Sequence, residues 1–157
     1  MGYSPVAPGT VGAMAGVGLF FALSSQGVSL APYVALSVAV TLLGIWAAEG
    51  CEARFGVADD GRIVIDEVAG QLVTLTPILV FFEPGELRAL SVSAWWGLVV
   101  TGFVVFRVLD IWKPGPVRWA ERRFHGGLGV MLDDLLAGVI GGMLLAVPCY
   151  QARGALS

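Results

Sequence analysis

Five apolar runs divide this chain of 157 residues, at Val11–Leu23, Ala31–Ala48, Val68–Phe82, Ser93–Phe106 and Leu135–Val147, and nearly every charge falls between them. A helix that spans a bilayer needs about 20 mainly apolar residues to cross roughly 30 Å of hydrocarbon. The second and fourth runs approach that length. The other three are short, and are expected to be extended by flanking residues, tilted or re-entrant. With only 13% charged residues and a mean hydropathy of +0.82, the chain is too apolar for an ordinary soluble globule of its size. The expected architecture is all-α, a polytopic helical membrane protein with about five membrane-embedded helices, forming a single domain over 1–157. The competing architecture is a soluble bundle with apolar core helices, because runs shorter than a span also describe buried core.

The charges carry an orientation. No Lys or Arg precedes Arg54, so the basic segment of a cleaved signal peptide is missing and the first run is expected to be retained. With five spans, Arg54, Arg62, Arg107, Lys113, Arg118, Arg122 and Arg123 share one side, and only Arg88 and Arg153 fall on the other. The positive-inside rule makes the richer side cytoplasmic. Ten of the twelve acids fall there too, leaving Glu83 and Glu86 outside. A charged site at the cytoplasmic face is therefore expected, rather than a solvated rim on both sides. The net charge of −3 carries little further information, and nothing in the chain resembles the footprint of a nucleic-acid partner, so none is expected. Cys51 falls near the inner end of the second run and Cys149 near the outer end of the fifth, so about 30 Å of hydrocarbon should separate them and no disulfide between them is expected.

Within that charged face, two acidic pairs, Asp66-Glu67 and Asp133-Asp134, stand at the leading edges of apolar runs. Carboxylates beside hydrocarbon are costly unless they are paired, placed on a helix N-terminus or bound to a cation. Asp66 could thus be only a helix cap, but a cap needs one carboxylate and Glu67 follows directly. Glu49 and Glu52, three residues apart at the end of the second run, could join them. Near the N-terminus, Ser4-Pro5-Val6-Ala7-Pro8-Gly9-Thr10 reads as an extended approach and a turn, with Thr10 placed to cap the first helix. The same segment would suit a phosphate, through backbone N–H groups and the Ser4 and Thr10 hydroxyls. Between the fourth and fifth runs, bases alternate with Trp112 and Trp119, as in an interfacial loop that holds anionic headgroups or simply anchors the protein. Gly126, Gly127 and Gly129 then give the backbone freedom to turn into the Asp133-Asp134 helix or to approach a ligand.

Four stretches, Ser4–Gly12, Ile63–Gly70, Phe106–Arg118 and His125–Gly138, together resemble the phosphatidylglycerophosphatase A family of bacterial phospholipid phosphatases, in order and across nearly the whole chain. The resemblance implies Mg²⁺-dependent removal of the terminal phosphate of phosphatidylglycerophosphate, leaving phosphatidylglycerol, in the bacterial inner membrane. Other phosphatase chemistries fit the letters poorly. Position 57 is Val57, so Cys51 has no phosphate-loop Arg six residues on, and Trp119 and Gly129 stand where the acid-phosphatase type needs Arg and Asp around a His at 125. Asp60-Gly61 lacks the Ala-Arg that a CDP-alcohol transferase requires after it.

The expected site follows from these readings. Asp66, Asp133 and Asp134, with Glu49 or Asp110, would ligate Mg²⁺, which prefers oxygen donors and retained waters. Glu67, with Asp66 and Asp134, would form the catalytic group, Glu67 ligating the metal or positioning the attacking water. Arg107, Lys113 and Arg118 would neutralise the phosphoryl oxygens, and Thr10 and His125 would help bind the substrate. The acyl chains would remain in the bilayer. The rival reading is a small transporter or structural membrane protein whose intramembrane acids carry protons or support packing; a further one is a related phosphatase for another phosphate ester.

Overall fold

In hydrocarbon every backbone N–H and C=O must be satisfied within the protein, so runs apolar on all sides close into helices. The computed structural model describes residues 8–55, 64–124 and 126–155. Among the described residues no strand occurs, and the helices in order are α1 (Pro8–Ser25), α2 (Leu30–Phe55), α3 (Ile65–Phe81), α4 (Pro84–Ala89), α5 (Val92–Trp112), α6 (Gly115–Arg123) and α7 (Gly126–Gly154). Four segments, Pro8–Ser25, Leu30–Gly50, Val92–Trp112 and Gly127–Gly154, are long and apolar enough to cross a membrane. Their outward faces carry Leu42, Leu43, Trp46, Val100, Val104, Met143, Leu144 and Val147, all exposed. Water would penalise such a surface, whereas lipid tails are as apolar as Leu. The fold is that of a helical membrane protein, and the soluble bundle is set aside.

The short third run forms the centre. At 17 residues α3 is about 25 Å long, less than the hydrocarbon thickness. Its neighbours compensate by surrounding it: α3 packs against α1, α2, α5 and α7, burying Ala69, Gly70, Gln71, Leu72, Thr74, Leu75, Ile78 and Leu79. The α3–α7 crossing is close because a Cβ on Gly138 would come 2.5 Å from the Gly70 carbonyl oxygen. Thr74 Oγ1 lies 3.0 Å from that same carbonyl and 3.3 Å from the carbonyl of Gly138, and the Tyr33 hydroxyl donates to the Leu72 carbonyl at 2.7 Å. Polar side chains thus tie the helices together where apolar packing alone has little directional preference.

The two ends of the bundle differ. At one end α4 carries a reciprocal capping box between Glu83 and Glu86, and Arg153 at the end of α7 bonds both the Phe81 carbonyl and Glu86. The starts of α1, α3 and α7 and the end of α5 gather at the other, and there lie Asp66, Glu67, Arg107, Asp110, Lys113, Asp133 and Asp134.

Several boundaries depart from the sequence reading. Helix α7 begins at Gly126, so Gly126, Gly127 and Gly129 are helical instead of forming a turn, and the Asp133-Asp134 pair lies two turns inside the helix. Gly127 is needed for packing: a Cβ there would come 2.5 Å from the Ile45 carbonyl oxygen of α2. Helix α5 continues past Phe106 to Trp112, which places Arg107 and Asp110 on helical backbone. Helix α1 starts at Pro8, a residue suited to the first helical position, so Thr10 sits within the first turn instead of capping it. Val64 is the N-cap residue of α3 and makes no side-chain cap bond, so Asp66 is a first-turn acid and not the cap. Ser4, the Asp59-Asp60 turn and His125 lie outside the described residues, as do the side chains of Cys51 and Glu52.

Candidate active site

Acids in the first turn of a helix are favoured by the exposed N–H groups and the helix dipole, and α3 opens with Asp66 and Glu67. The Glu67 backbone N–H donates to Asp66 Oδ1 at 3.0 Å, which turns the Asp66 carboxylate back over the helix start. From α7 comes Asp134, only 4% exposed. One carboxylate oxygen from each of Asp66, Glu67 and Asp134 lies within 4.8 Å of the others. Three carboxylates this close in a poorly hydrated place repel one another, and a cation among them relieves both the repulsion and the lost hydration. Among the described residues the donor set is all carboxylate oxygen, which fits a hard divalent ion such as Mg²⁺.

Helix α5 lines the next wall. Asp110 is near enough to Asp134 to share a hydrogen bond with it, and Arg107, one turn earlier on the same face, bonds Asp110 through Nη1. Arg107 and Glu67 meet at the start of α1: a Cβ on Gly9 would come 2.6 Å from Glu67 Oε1 and 2.9 Å from Arg107 Nη1. Gly12, one turn on, makes the same allowance, since a Cβ there would come 2.8 Å from the Val64 carbonyl oxygen and 3.1 Å from Glu67 Oε2. The glycines of α1 thus form the seat for this acid–base pair.

Asp133 faces elsewhere. Successive residues on a helix are about 100° apart, so Asp133 points toward the end of α5 while Asp134 faces the trio. There Lys113 Nζ lies 2.7 Å from Asp133 Oδ2. Lys113 is the C-cap of α5 with φ of 47°, a left-handed conformation unusual for a residue with a side chain.

The remaining expected residues are dispersed. Arg118 sits on α6, whose Val117 and Ala120 are buried while Arg118, Trp119, Arg122 and Arg123 face outward around one surface depression. Its guanidinium donates to the Trp112 carbonyl at 3.3 Å, so Arg118 groups with Arg122 and Arg123 and not with Lys113. Glu49 is exposed and packs beside Gly127 outside the trio, and Thr10 is half-buried in the first turn of α1. Sequence reasoning missed the seat formed by Gly9 and Gly12, and it missed Gln71, four residues after Glu67 and fully buried. The i,i+4 spacing from Glu67 was the available signal.

Fold and site together define a class, a polytopic helical membrane protein with an acidic, metal-competent centre flanked by Arg107. A family model described as phosphatidylglycerophosphatase A matches residues 1–148. The chain is 37% identical to phosphatidylglycerophosphatase A of Escherichia coli (strain K12), over 99% of this chain and 83% of that protein. It is 34% identical to phosphatidylglycerophosphatase A of Haemophilus influenzae, over 85% of this chain and 73% of the relative. A Bacteroides thetaiotaomicron protein named, provisionally, as a phosphatidylinositol-3-phosphatase is 40% identical over 93% of this chain and 86% of its own length. No solved structure matches. The chain belongs to the phosphatidylglycerophosphatase A family and is a membrane-embedded phosphoric monoester hydrolase. The transporter reading gives way accordingly.

Proposed function

We propose that this protein removes the terminal phosphate of phosphatidylglycerophosphate to give phosphatidylglycerol, using Mg²⁺ held by Asp66, Glu67 and Asp134 at the cytoplasmic face of the bacterial inner membrane. The observation that carries the reading is the convergence of these three carboxylates within 4.8 Å, with Arg107 beside Glu67 at the Gly9 seat. When bound, Mg²⁺ supplies charge neutralisation for a phosphoryl oxygen and favours attack by water. The chain's own groups do the rest. Glu67 accepts a hydrogen bond from the attacking water and takes its proton as the new P–O bond forms. The bond from phosphorus to the glycerol oxygen breaks with its electron pair on oxygen, which takes a proton from solvent to become the free hydroxyl while Glu67 returns its own proton to solvent. Arg107, aimed by Asp110, offers guanidinium donors to the phosphoryl oxygens as their charge redistributes. Lys113 and Asp133 act together at the edge of the site, and Asp133 would join the metal ligands only by giving up its ammonium partner.

The cytoplasmic assignment is supported by the bases: seven of the nine fall on the side of the site. A second reading, hydrolysis of another lipid phosphomonoester, is favoured by the Bacteroides thetaiotaomicron relative. The test is phosphate release by purified protein from phosphatidylglycerophosphate, phosphatidic acid and phosphatidylinositol 3-phosphate, each with Mg²⁺ and with chelator. Preference for phosphatidylglycerophosphate, abolished by chelator and restored by Mg²⁺, is the expected result. Release that survives complete chelation removes the metal from the mechanism.

A further inference from the structure

Next to Glu67, the seam between α1 and α3 encloses polar atoms that no group among the described residues satisfies. Gln71 is 0% exposed, and neither its Nε2 nor its Oε1 has a hydrogen-bond partner among the described residues. Glu67 Oε2 and Arg107 Nε are enclosed and unanswered in the same way. The residues lie together. Gln71 follows Glu67 by one helical turn on the same face of α3, and side chains on a helix lean toward its N-terminus, which carries the Gln71 amide toward Glu67. Both residues abut α1: a Cβ on Gly16 would come 2.8 Å from Gln71 Cβ, and one on Gly12 would come 3.0 Å from Glu67 Cβ. Arg107 meets Glu67 at Gly9, one turn further up the same helix.

The unanswered set is complementary, with two donors, Gln71 Nε2 and Arg107 Nε, and two acceptors, Gln71 Oε1 and Glu67 Oε2. Buried polar atoms in native proteins are nearly always satisfied by protein or by ordered water, and an internal water joins two to four such groups. We propose that the α1–α3 seam holds ordered water linking the Gln71 amide to Glu67 Oε2 and Arg107 Nε, and that Gln71 is thereby a positioning residue for Glu67. With Oε2 held by that water near Gly12, Oε1 stays at the Gly9 seat beside Arg107. Burying an amide at this depth has no packing advantage over an apolar residue of the same length, so a purely structural role would be better filled by Met.

This inference rests on the metal-site reading of Asp66, Glu67 and Asp134, and its test separates the two. The full chain in detergent is titrated with Mn²⁺ alone, the free ion being counted by electron paramagnetic resonance, and phosphate release is measured in parallel. Gln71→Met is expected to weaken Mn²⁺ binding and lower kcat about tenfold or more, as outer-shell partners of metal ligands do, with KM little changed and thermal stability equal or higher. Gln71→Asn, whose shorter amide leaves space for one more water, is expected to recover part of both losses. Wild-type binding and kcat in Gln71→Met would overturn the inference. So would equal losses in Gln71→Met and Gln71→Asn accompanied by a lowered Tm, which would mark a packing role only. If the wild type itself neither binds Mn²⁺ nor loses activity on chelation, the metal reading fails and this inference falls with it.

Discussion

Lys113 and Asp133 clamp the break between α5 and α6 to the first turns of α7, with the ammonium 2.7 Å from the carboxylate and the lysine backbone held at φ 47°. The left-handed conformation ends α5 and lets Pro114 start the approach to α6, while the ion pair fixes where that turn sits relative to the acidic site. Two contributions can be separated. Lys113→Ala loses the ion pair and keeps a side chain in the strained conformation, and a loss of about 2 kcal/mol is expected for this partly buried pair. Lys113→Gly also loses the pair but adopts positive φ freely, and should be roughly 1 kcal/mol more stable than Lys113→Ala. Thermal unfolding of both variants in the same detergent measures the difference. Equal Tm values would show that the backbone at position 113 relaxes once the lysine is gone.

Asp66 and Asp134 approach the same point from α3 and α7, and their charges work against folding in the absence of a cation. Asp66→Asn and Asp134→Asn should reduce phosphate release by orders of magnitude while leaving the metal-free protein equally or more stable. Saturating Mg²⁺ should raise the Tm of the wild type, by about 2.7 kcal/mol of stabilisation at 100 times Kd, and should leave both variants nearly unmoved. Full activity in both Asn variants would remove these two residues from the metal site.

Much of this arrangement could be read in the letters. The apolar runs predicted the principal helices because in lipid the hydrophobic pattern is continuous and needs no phase, and Asp66-Glu67 stood out because acids at the edge of such a run are costly without a purpose. Other features depend on which way a helix faces. Asp133 and Asp134 are adjacent, and only the rotation of α7 against α3 and α5 sends one to the trio and the other to Lys113. Arg118 and Lys113 are five residues apart, but the break at Lys113-Pro114 resets the helical phase between them. Gly126, Gly127 and Gly129 suggested a turn from local propensity, and the close packing of Gly127 on α2 overrode it.

That phase reset leads to a prediction for the bases of α6. Arg118, Arg122 and Arg123 border one outward-facing depression that the exposed Trp119 also lines. Each should contribute about 1 kcal/mol of attraction to an anionic membrane surface. Arg118→Ala should therefore behave like Arg122→Ala, lowering turnover on anionic vesicles modestly and having little effect on a short-chain, soluble phosphatidylglycerophosphate analogue. Arg107→Ala should lose activity on both substrates, since Arg107 shares the Gly9 seat with Glu67. A large loss for Arg118→Ala on the soluble analogue would place Arg118 at the phosphate and α6 over the site.

The opposite ends of the bundle make the topology testable. Glu86 and Arg153 pair at 3.1 Å at the end away from the acidic site, and α6 lies at the site end. With the site facing the cytoplasm, a membrane-impermeant thiol reagent applied to intact cells should label a cysteine placed at the exposed Gly85 and miss one placed at Arg122. Native Cys149 is buried and should stay silent, and Cys51 is replaced by Ser in both variants so that it adds no signal of its own. Permeabilising the inner membrane should make the cysteine at position 122 reactive without changing the signal from position 85. Labelling at position 122 in intact cells would put the acidic site on the outer side and would require a substrate delivered from the periplasmic leaflet.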